Sequence, residues 1–416
     1  MLKNLISSFF AKSTVAFTLL GILLVQTQQL GSEEVGQVSK LILNLAIIQT
    51  ISEIYTGSAL VYFIPKHAIS KIYSYGVLWT IACIFGINSV FYTLQKLYPQ
   101  FDLGVKDLWL HVLILSFLVT MQAFHTVVLL AKEKIKIYNF LIFFQPLLLL
   151  AVLCVAVFIL QIKNVNAYLI AAYVSWTVSF LISTFFILKM VTKDEGKSPV
   201  KIKDVLRNGF VNQLGNLAHT LSNRYNYYMI GTTMLVGIYS SATSLIESVW
   251  ILSGSISPII LTHIANQKDV SNNSRVTFLL SKICFLLSLL CVLVVVVLPE
   301  DFFTFLLGKD FSGTKTIMLY LSPGVLCLSF SSIISHYFSG LGKQRILLLA
   351  NSSGLAITLC TSYYFISRFG LVGACYAASL SYIAQAIVLT LVFMKNNNYT
   401  FLQLFAFRKD LELLRR

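Results

Sequence analysis

The chain has 416 residues, of which 57% are hydrophobic and only 11% are charged, and its formal net charge is +15. Soluble domains are closer to a quarter charged, so this composition excludes an ordinary water-soluble protein and indicates a chain solvated mainly by lipid. The seven cysteines lie in apolar runs without a CxxC pair. Neither a disulfide framework nor a metal site is therefore expected, and no cofactor is indicated.

Twelve apolar runs are long enough to cross a bilayer, which takes about 20 residues of helix. Such runs are too long for barrel strands, and they lack strict alternation. We predict an all-α polytopic membrane protein with about twelve spans in two six-helix lobes around a central cavity. The predicted spans are 12–30, 38–63, 72–93, 108–130, 137–160, 166–189, 206–232, 236–262, 276–298, 315–338, 345–366 and 371–394.

The loop charges predict the orientation. Of the 31 lysines and arginines, 23 fall on the side that carries both termini and seven on the other, and the last is Arg224 inside a span. Positive charge marks the cytoplasmic side, so both termini are expected in the cytoplasm. The net positive charge then faces anionic headgroups of membrane lipids and does not indicate nucleic acid.

A polar connection at 193–204 divides the chain into two sets of six spans. We predict an N-terminal lobe at 1–192, a cytoplasmic linker at 193–204 and a C-terminal lobe at 205–394. The remaining segment, 395–416, alternates apolar and basic residues, which predicts an amphipathic tail on the inner membrane surface.

Two acidic residues lie inside spans, Glu53 in the second and Glu247 in the eighth, 194 residues apart. Each is followed towards the end of its span by a proline, Pro65 and Pro258. Matching positions in the two halves predict a parallel duplication, as in transporters that hold substrate between two repeated bundles.

Arg224 is the one basic residue placed deep in a span. A turn predicted near Leu235–Gly237 would bring it level with Glu247, since a helix rises 1.5 Å per residue. Two interpretations stay open. The pair locks the helical hairpin as an intramembrane ion pair, or Arg224 offers its planar guanidinium to a diphosphate. Both hold if Glu247 retains Arg224 until an anion competes for it.

The seventh span is the most polar one. Its amide and imidazole side chains recur at steps of three or four residues, within an arc of about 80°. Such groups suit a water-filled cavity that accepts sugar hydroxyls, with hydrogen bonding between packed helices as the alternative. The arc consists of Asn208, Asn212, Asn216, His219, Asn223 and Asn226. The predicted substrate path comprises Arg224, Asn212, Asn216, His219 and Asn223.

Glu53 has no evident cation in the neighbouring spans. An unpaired carboxyl inside the membrane can carry a proton, whereas a structural glutamate bonded to an amide is the alternative. Glu53 and Glu247 are the candidates for ion coupling. The segment Gly340–Lys343 lacks the spacing of a phosphate-binding loop. Transport is therefore expected to draw on an ion or on the membrane potential.

Three segments of the last third carry a family resemblance: Leu306–Phe311 (LLGKDF), Gly340–Lys343 (GLGK) and Phe369–Ala378 (FGLVGACYAA). Together with two sets of six spans, a polar seventh span and a short basic tail, they resemble the Wzx O-antigen flippases. These form the polysaccharide transporter branch of the multidrug/oligosaccharidyl-lipid/polysaccharide exporter superfamily.

The resemblance implies a V-shaped pair of lobes and an undecaprenyl-diphosphate-linked oligosaccharide as cargo. This cargo is flipped from the inner to the outer leaflet of the bacterial cytoplasmic membrane for O-antigen and lipopolysaccharide biosynthesis. Coupling to H⁺ or Na⁺ and a neighbouring polysaccharide polymerase are also implied. The chain departs from the family in one respect. Cavities there are often cationic from the first span onwards, whereas here that span has only Lys12 at its entrance.

Two other functional classes would leave different signals in the sequence. A cation-coupled small-molecule or drug antiporter of the same fold would have a more apolar and aromatic cavity. A membrane glycosyltransferase or polymerase needs a reaction site on a sizeable outer loop, but the longest outer loops are only 94–107 and 299–314. An enzyme is therefore not expected.

Overall fold

The computed structural model describes residues 2–98, 103, 108–191, 201–251, 253–254 and 270–400, with side-chain surroundings from residue 14 onwards and not at 270–272. Most of the predicted linker at 193–204, the tail beyond residue 400 and Pro258 lie outside the described residues. The predicted roles of these segments stay predictions.

The described chain is helical almost throughout and contains no strand, so the predicted all-α polytopic membrane fold is confirmed. Within the described ranges, eight helices are long and apolar enough to cross a membrane. Numbered in chain order, the helices are α1 (Leu2–Leu30), α2 (Ser32–Thr56), α3 (Ala59–Phe63), α4 (Ile69–Leu97), α5 (Trp109–Ala131), α6 (Ile135–Cys154), α7 (Val165–Val191), α8 (Ile202–Arg224), α9 (Asn226–Met229), α10 (Thr233–Glu247), α11 (Val270–Val297), α12 (Glu300–Leu307), α13 (Thr314–Gly340) and α14 (Gln344–Asn397).

Helix α14 contains two spans. Its 54 residues would extend about 80 Å, more than twice the hydrocarbon thickness. Gly370 interrupts it with φ +55° and ψ −130°, a conformation that a residue with a side chain rarely adopts. The chain turns tightly there, since a Cβ on Gly373 would lie 2.0 Å from the carbonyl oxygen of Phe365. The two parts, 344–369 and 371–397, match the last two predicted spans.

The chain divides into two compact units. Unit 1 comprises Met1–Leu217, Tyr227–Ser240 and Leu306–Phe311, and unit 2 comprises Ala218–Asn226, Ser241–Phe305 and Ser312–Arg416. Each has its own apolar core. Buried side chains of unit 1 include Tyr55, Ile72, Phe124 and Val128, and those of unit 2 include Phe278, Ile333, Tyr337, Phe338 and Phe393.

Within unit 1, the beginnings of α2 and α10 pack backbone against backbone. A Cβ on Gly36 would lie 1.9 Å from the carbonyl oxygen of Thr233, and one on Gly237 would lie 1.8 Å from that of Ser32. Only glycine permits this approach, which is a common device where small residues line the contact between membrane helices. The hydroxyl of Ser39 donates to that of Ser240 at 2.8 Å further along the contact.

The turn before α10 lies earlier than predicted. It occupies 230–232, so the prediction of a turn near Leu235–Gly237 is wrong. Thr232 provides the physical reason. Its hydroxyl accepts a hydrogen bond from the backbone N–H of Leu235 at 3.4 Å, which caps the first turn of α10 and places the following apolar residues inside the helix.

Two lysines that the charge count assigns to loops are buried inside helices. Lys40 lies in α2 with 1% of its surface exposed, and Lys282 lies in α11 with 2% exposed. The ammonium group of Lys282 stands 4.5 Å from the centre of the Phe278 ring, a favourable cation–π arrangement. Both lysines lie near the starts of the predicted spans 38–63 and 276–298, and the charge count assigns them to the adjoining loops although these spans include them.

Candidate functional site

One polar group lies in unit 1, where the predicted second span is broken. Helix α2 ends at Thr56, Gly57 is extended, and α3 begins at Ala59. Helix α8 approaches this break closely, because a Cβ on Gly209 would lie 2.0 Å from the carbonyl oxygen of Ile54. The close approach brings the amides of α8 beside the end of α2.

Three amide side chains of α8 are arranged around the break. The Asn212 amide donates to the Ser58 hydroxyl at 3.1 Å, and the Asn216 amide donates to Gln213 Oε1 at 2.9 Å. Gln213 Nε2 occupies the space that Gly57 leaves open, 2.7 Å from the position a Cβ would take there. Hydrogen-bonding groups therefore cluster where the backbone of the span is interrupted.

The first part of α8 has two exposed faces of opposite polarity. Asn208 and Asn216 are exposed and Asn212 is half-buried on one face, while Phe210 and Leu214 are exposed on another. At about 100° per residue the two faces are well separated around the helix. An apolar face is stable against lipid, but exposed amides in a helix that is predicted to span the membrane need water or a polar ligand.

Glu53 lies one turn before the break and is half-buried. Its Oε1 accepts a hydrogen bond from the Gln49 amide at 2.8 Å, and among the described residues this is the one side-chain partner of its carboxyl. No described lysine, arginine or histidine forms an ion pair with Glu53. Its role in ion coupling stays a prediction.

A separate polar group lies in unit 2, around an ion pair. Arg224 Nη1 donates to Glu247 Oε1 at 3.0 Å, and Nη2 donates to Oε2 in a short hydrogen bond. The Tyr382 hydroxyl donates to the same Oε1 at 2.6 Å. The pair forms although the turn between α8 and α10 lies elsewhere than predicted. Whether Arg224 also binds a diphosphate stays a prediction.

Tyr382 is itself held in place by an aromatic neighbour. The ring of Trp250 meets the Tyr382 ring edge-on at a centroid distance of 5.6 Å, and Trp250 Nε1 donates to the carbonyl oxygen of Val325 at 3.1 Å. Sequence reasoning missed Tyr382, because a single tyrosine in an apolar span gives no periodic signal.

A network around His219 lies in the same unit. His219 Nδ1 is 3.1 Å from Gln385 Oε1, and the Asn223 amide is 3.1 Å from His219 Nε2. These partners fit a neutral imidazole that donates from Nδ1 and accepts at Nε2. Gln385 also donates to the Ser222 hydroxyl at 3.1 Å. It fits there because Gly354 has no side chain, since a Cβ would lie 2.5 Å from the Gln385 amide.

The end of α8 and the start of α9 are packed rather than open. Asn223 is buried, and Asn226 is buried between Ser362, which donates to its Oδ1 at 2.7 Å, and Ala374, whose carbonyl accepts from its Nδ2 at 2.9 Å. Hydrogen bonding between packed helices, the alternative to a cavity, therefore describes this part of the polar arc. The place of His219 and Asn223 in the substrate path stays a prediction.

Comparison with known proteins places the fold. Neither a protein-family model nor a curated protein matches the chain. Among solved structures, an inward-facing multidrug resistance MATE family transporter of the MOP superfamily superposes with a TM-score of 0.67, at 13% identity over 94% of this chain and 98% of the other. A point mutant of the Vibrio cholerae MATE transporter VcmN gives a TM-score of 0.63, at 14% identity over 95% of this chain and 96% of the other.

A flippase shows the same likeness. The lipid II flippase MurJ, in an inward closed conformation, superposes with a TM-score of 0.63, at 13% identity over 97% of this chain and 92% of the other. At these identities the likeness concerns the fold, and it extends over nearly the full length of both chains. The protein is therefore a multi-pass membrane protein with the fold that these MATE transporters and the lipid II flippase share.

Proposed function

We propose that this protein is a flippase that moves a polyprenyl-diphosphate-linked oligosaccharide from the inner to the outer leaflet of a bacterial cytoplasmic membrane. The observation that carries this proposal is the amide face of α8 in unit 1. Asn208, Asn212 and Asn216 are exposed or half-buried in α8, which the sequence predicts to be the seventh span, and they lie near a break in the second span.

Amides recognise sugars well because each offers both donors and an acceptor to hydroxyl groups. An uncharged face also suits a neutral glycan, because a neutral glycan would not compensate the charges that line a strongly charged cavity. In lipid, the one hydrogen bond that each amide donates, to Asp204, Ser58 or Gln213, would offset only part of the cost of losing water. The amide face is therefore best explained as the wall of a hydrated path for a polar cargo.

The diphosphate of the cargo needs a cationic partner, and Arg224 is the candidate. Its guanidinium has the planar geometry that suits phosphate oxygens, although it is bound to Glu247 in this structure. Glu53 is the candidate for coupling to H⁺ or Na⁺, because its carboxyl has a single amide partner among the described side chains. Both termini would be cytoplasmic, and a polysaccharide polymerase would be the partner that receives the flipped cargo.

A cation-coupled antiporter of small molecules or drugs is the second candidate. The observation in its favour is the likeness to a multidrug resistance MATE family transporter over 94% of this chain. The two candidate functions differ in the ligand that the amide face of α8 would contact. An amide face is needed for a glycan, whereas an apolar drug would depend on aromatic and aliphatic walls.

The test is genetic. Deleting the gene should cause lipid-linked oligosaccharide to accumulate on the inner leaflet while the surface polysaccharide disappears. Complementation with Asn212→Leu/Asn216→Leu should fail, whereas Phe210→Leu, a control on the apolar face of the same helix, should restore the polymer. Normal surface polysaccharide in the deletion strain, together with new sensitivity to cationic drugs, would favour the antiporter.

A further inference from the structure

The carboxyl of Glu247 receives three hydrogen bonds from two side chains that differ in exposure. Arg224 binds both of its oxygens, and the Tyr382 hydroxyl binds Oε1 at 2.6 Å. The Glu247 side chain is 8% exposed, whereas the Arg224 side chain is 26% exposed, and Tyr382 is fully buried. One partner of the carboxylate is thus fixed in the core, and the other reaches an open side.

Tyr382 has the support that a fixed partner needs. Trp250 packs against its ring, and the indole N–H of Trp250 is bound to a backbone carbonyl. Arg224 is placed differently, as the last residue of α8, where the helix ends before a turn at Tyr225. A long side chain at a helix end can swing without disturbing the helix, whereas a packed tyrosine ring cannot.

We propose that Arg224 and Glu247 form a shielded anion site, in which the diphosphate of the cargo displaces Glu247 from Arg224 and Tyr382 retains the released carboxylate. The inference rests on the proposed function and deepens it, because it says how a site that is closed in this structure opens for its ligand. The ligand class is a diphosphate, whose oxygens compete with the carboxylate for the guanidinium.

The role of Tyr382 follows from the cost of separating the pair. Removing one partner from a buried ion pair is unfavourable, because the remaining charge loses its compensation. A hydroxyl that stays on Glu247 Oε1 stabilises the carboxylate after Arg224 has turned away. Tyr382 is therefore a positioning residue that lowers the cost of exchange without touching the ligand.

Binding of inorganic pyrophosphate to the purified full-length chain tests this, with titration calorimetry in detergent. Glu247→Gln removes the competing charge and should tighten binding about tenfold. Arg224→Gln should abolish binding. Tyr382→Phe should weaken binding about tenfold in the wild-type background, since it removes one hydrogen bond to a charged group, and should have no effect in the Glu247→Gln background.

The control for general electrostatics is Arg368→Gln. Arg368 is exposed in unit 2, and its guanidinium lies 4.6 Å from the centre of the Tyr364 ring. The substitution therefore removes one positive charge, as Arg224→Gln does, without changing the Arg224–Glu247 site. It should leave pyrophosphate affinity unchanged. Repeating the titration in nanodiscs with and without phosphatidylglycerol separates two sources of phosphate. Equal pyrophosphate affinity in the two nanodisc preparations supports the diphosphate as the ligand. Weaker pyrophosphate affinity in the presence of phosphatidylglycerol shows that the lipid headgroup competes for the site, and it overturns the diphosphate as the ligand.

Each outcome decides the inference. Pyrophosphate affinity that is unchanged or weaker in Glu247→Gln overturns it, as does full binding by Arg224→Gln. If Glu247→Gln does not fold, as judged by size exclusion and thermal unfolding, Tyr382→Phe decides alone, and unchanged affinity overturns the inference. The deletion strain separates the two proposals. If the deletion strain loses surface polysaccharide but the variants lack the predicted pyrophosphate response, the flippase proposal stands and the shielded site is overturned. If the pyrophosphate response is as predicted but the deletion strain keeps its surface polysaccharide, the anion site stands and the flippase proposal is overturned.

Discussion

Gly36 of α2 and Gly237 of α10 face each other so closely that a Cβ on Gly237 would lie 3.0 Å from the backbone nitrogen of Gly36. The contact is reciprocal, because Gly36 meets Thr233 while Gly237 meets Ser32. Ser39 and Ser240 pair at a separation of 201 residues, and the two glycines have the same separation. Equivalent positions of two helices thus contact each other as in a two-fold interface.

This contact has a consequence for the two acidic residues. It supports a duplication but places the repeat at 201 residues, whereas Glu53 and Glu247 are 194 apart. Seven residues correspond to about two helical turns. Glu53 and Glu247 therefore lie at different positions along α2 and α10. The prediction that they occupy matching positions of two repeats differs from the observed register of 201 residues. Their different partners agree with different roles.

The first prediction concerns this contact. Gly237→Ala should destabilise the protein by about 1–3 kcal/mol, because the new methyl group meets a backbone carbonyl that has no room to move. Thermal unfolding in detergent measures the effect. Gly86→Ala is the matched control, since nothing lies within 4 Å of a Cβ at that helical position. An equal melting temperature in both variants would contradict the contact.

The second prediction concerns the two faces of α8. In a cysteine-free background, a cysteine at Asn216 should react rapidly with a membrane-impermeant thiol reagent, because this position is exposed on the amide face. A cysteine at Asn223 should be protected, since Asn223 is buried against His219. A cysteine at Phe210 is the lipid-face control. Equal labelling at Asn216 and Phe210 would argue against a hydrated amide face.

The third prediction separates structure from transport at the ion pair. Arg224→Ala should destabilise the protein by about 3–5 kcal/mol, because it leaves the carboxylate of Glu247 buried without its cation. The double variant Arg224→Gln/Glu247→Gln should recover much of this stability, as both charges are gone. Transport of the lipid-linked cargo should stay low in the double variant. Recovered transport would make the pair a structural element only.

The fourth prediction concerns Glu53. Glu53→Gln should leave thermal stability within about 0.5 kcal/mol, because the carboxyl is half-buried and has a single described side-chain partner. Cargo movement driven by a pH or Na⁺ gradient across proteoliposomes should be lost, while equilibrium exchange persists. Glu34→Gln is the control carboxyl of the same helix, bound to the backbone N–H of Val165 at 2.6 Å. Gradient-driven transport by Glu53→Gln would remove it from coupling.

Much of the fold could be predicted from the sequence because hydropathy is a local property. Each of the twelve predicted spans overlaps a helix of the described chain, including the two parts of α14 on either side of Gly370. Errors arose at the ends of the predicted spans, because polar residues near a span end fit either a helix or a loop. Lys40 was counted as a loop charge although α2 already begins at Ser32, and the cap at Thr232 moved the turn before α10.

The candidate site was predictable only in part. The polarity of α8 and the proximity of Arg224 to Glu247 were visible, since both depend on neighbouring stretches of sequence. The break at Gly57 and the interaction of Asn212 with Ser58 were not, because a glycine and a serine in an apolar run have many structural uses. The role of Gln385 was also not predictable, because its partners His219 and Ser222 lie on a helix more than 160 residues earlier.

The sequence by itself determined that this is a membrane protein of many helices, and it predicts that α8 is the most polar span and that a few charges lie inside the bilayer. These properties follow from residue types summed over about 20 neighbours. Tertiary structure alone decided which amides are open and which are packed, that Tyr382 shares Glu247 with Arg224, and that α2 meets α10 at a spacing of 201 residues. The physical reason is that a hydrogen bond forms only within about 3.5 Å, and chain segments far apart in sequence reach that distance only when the helices pack.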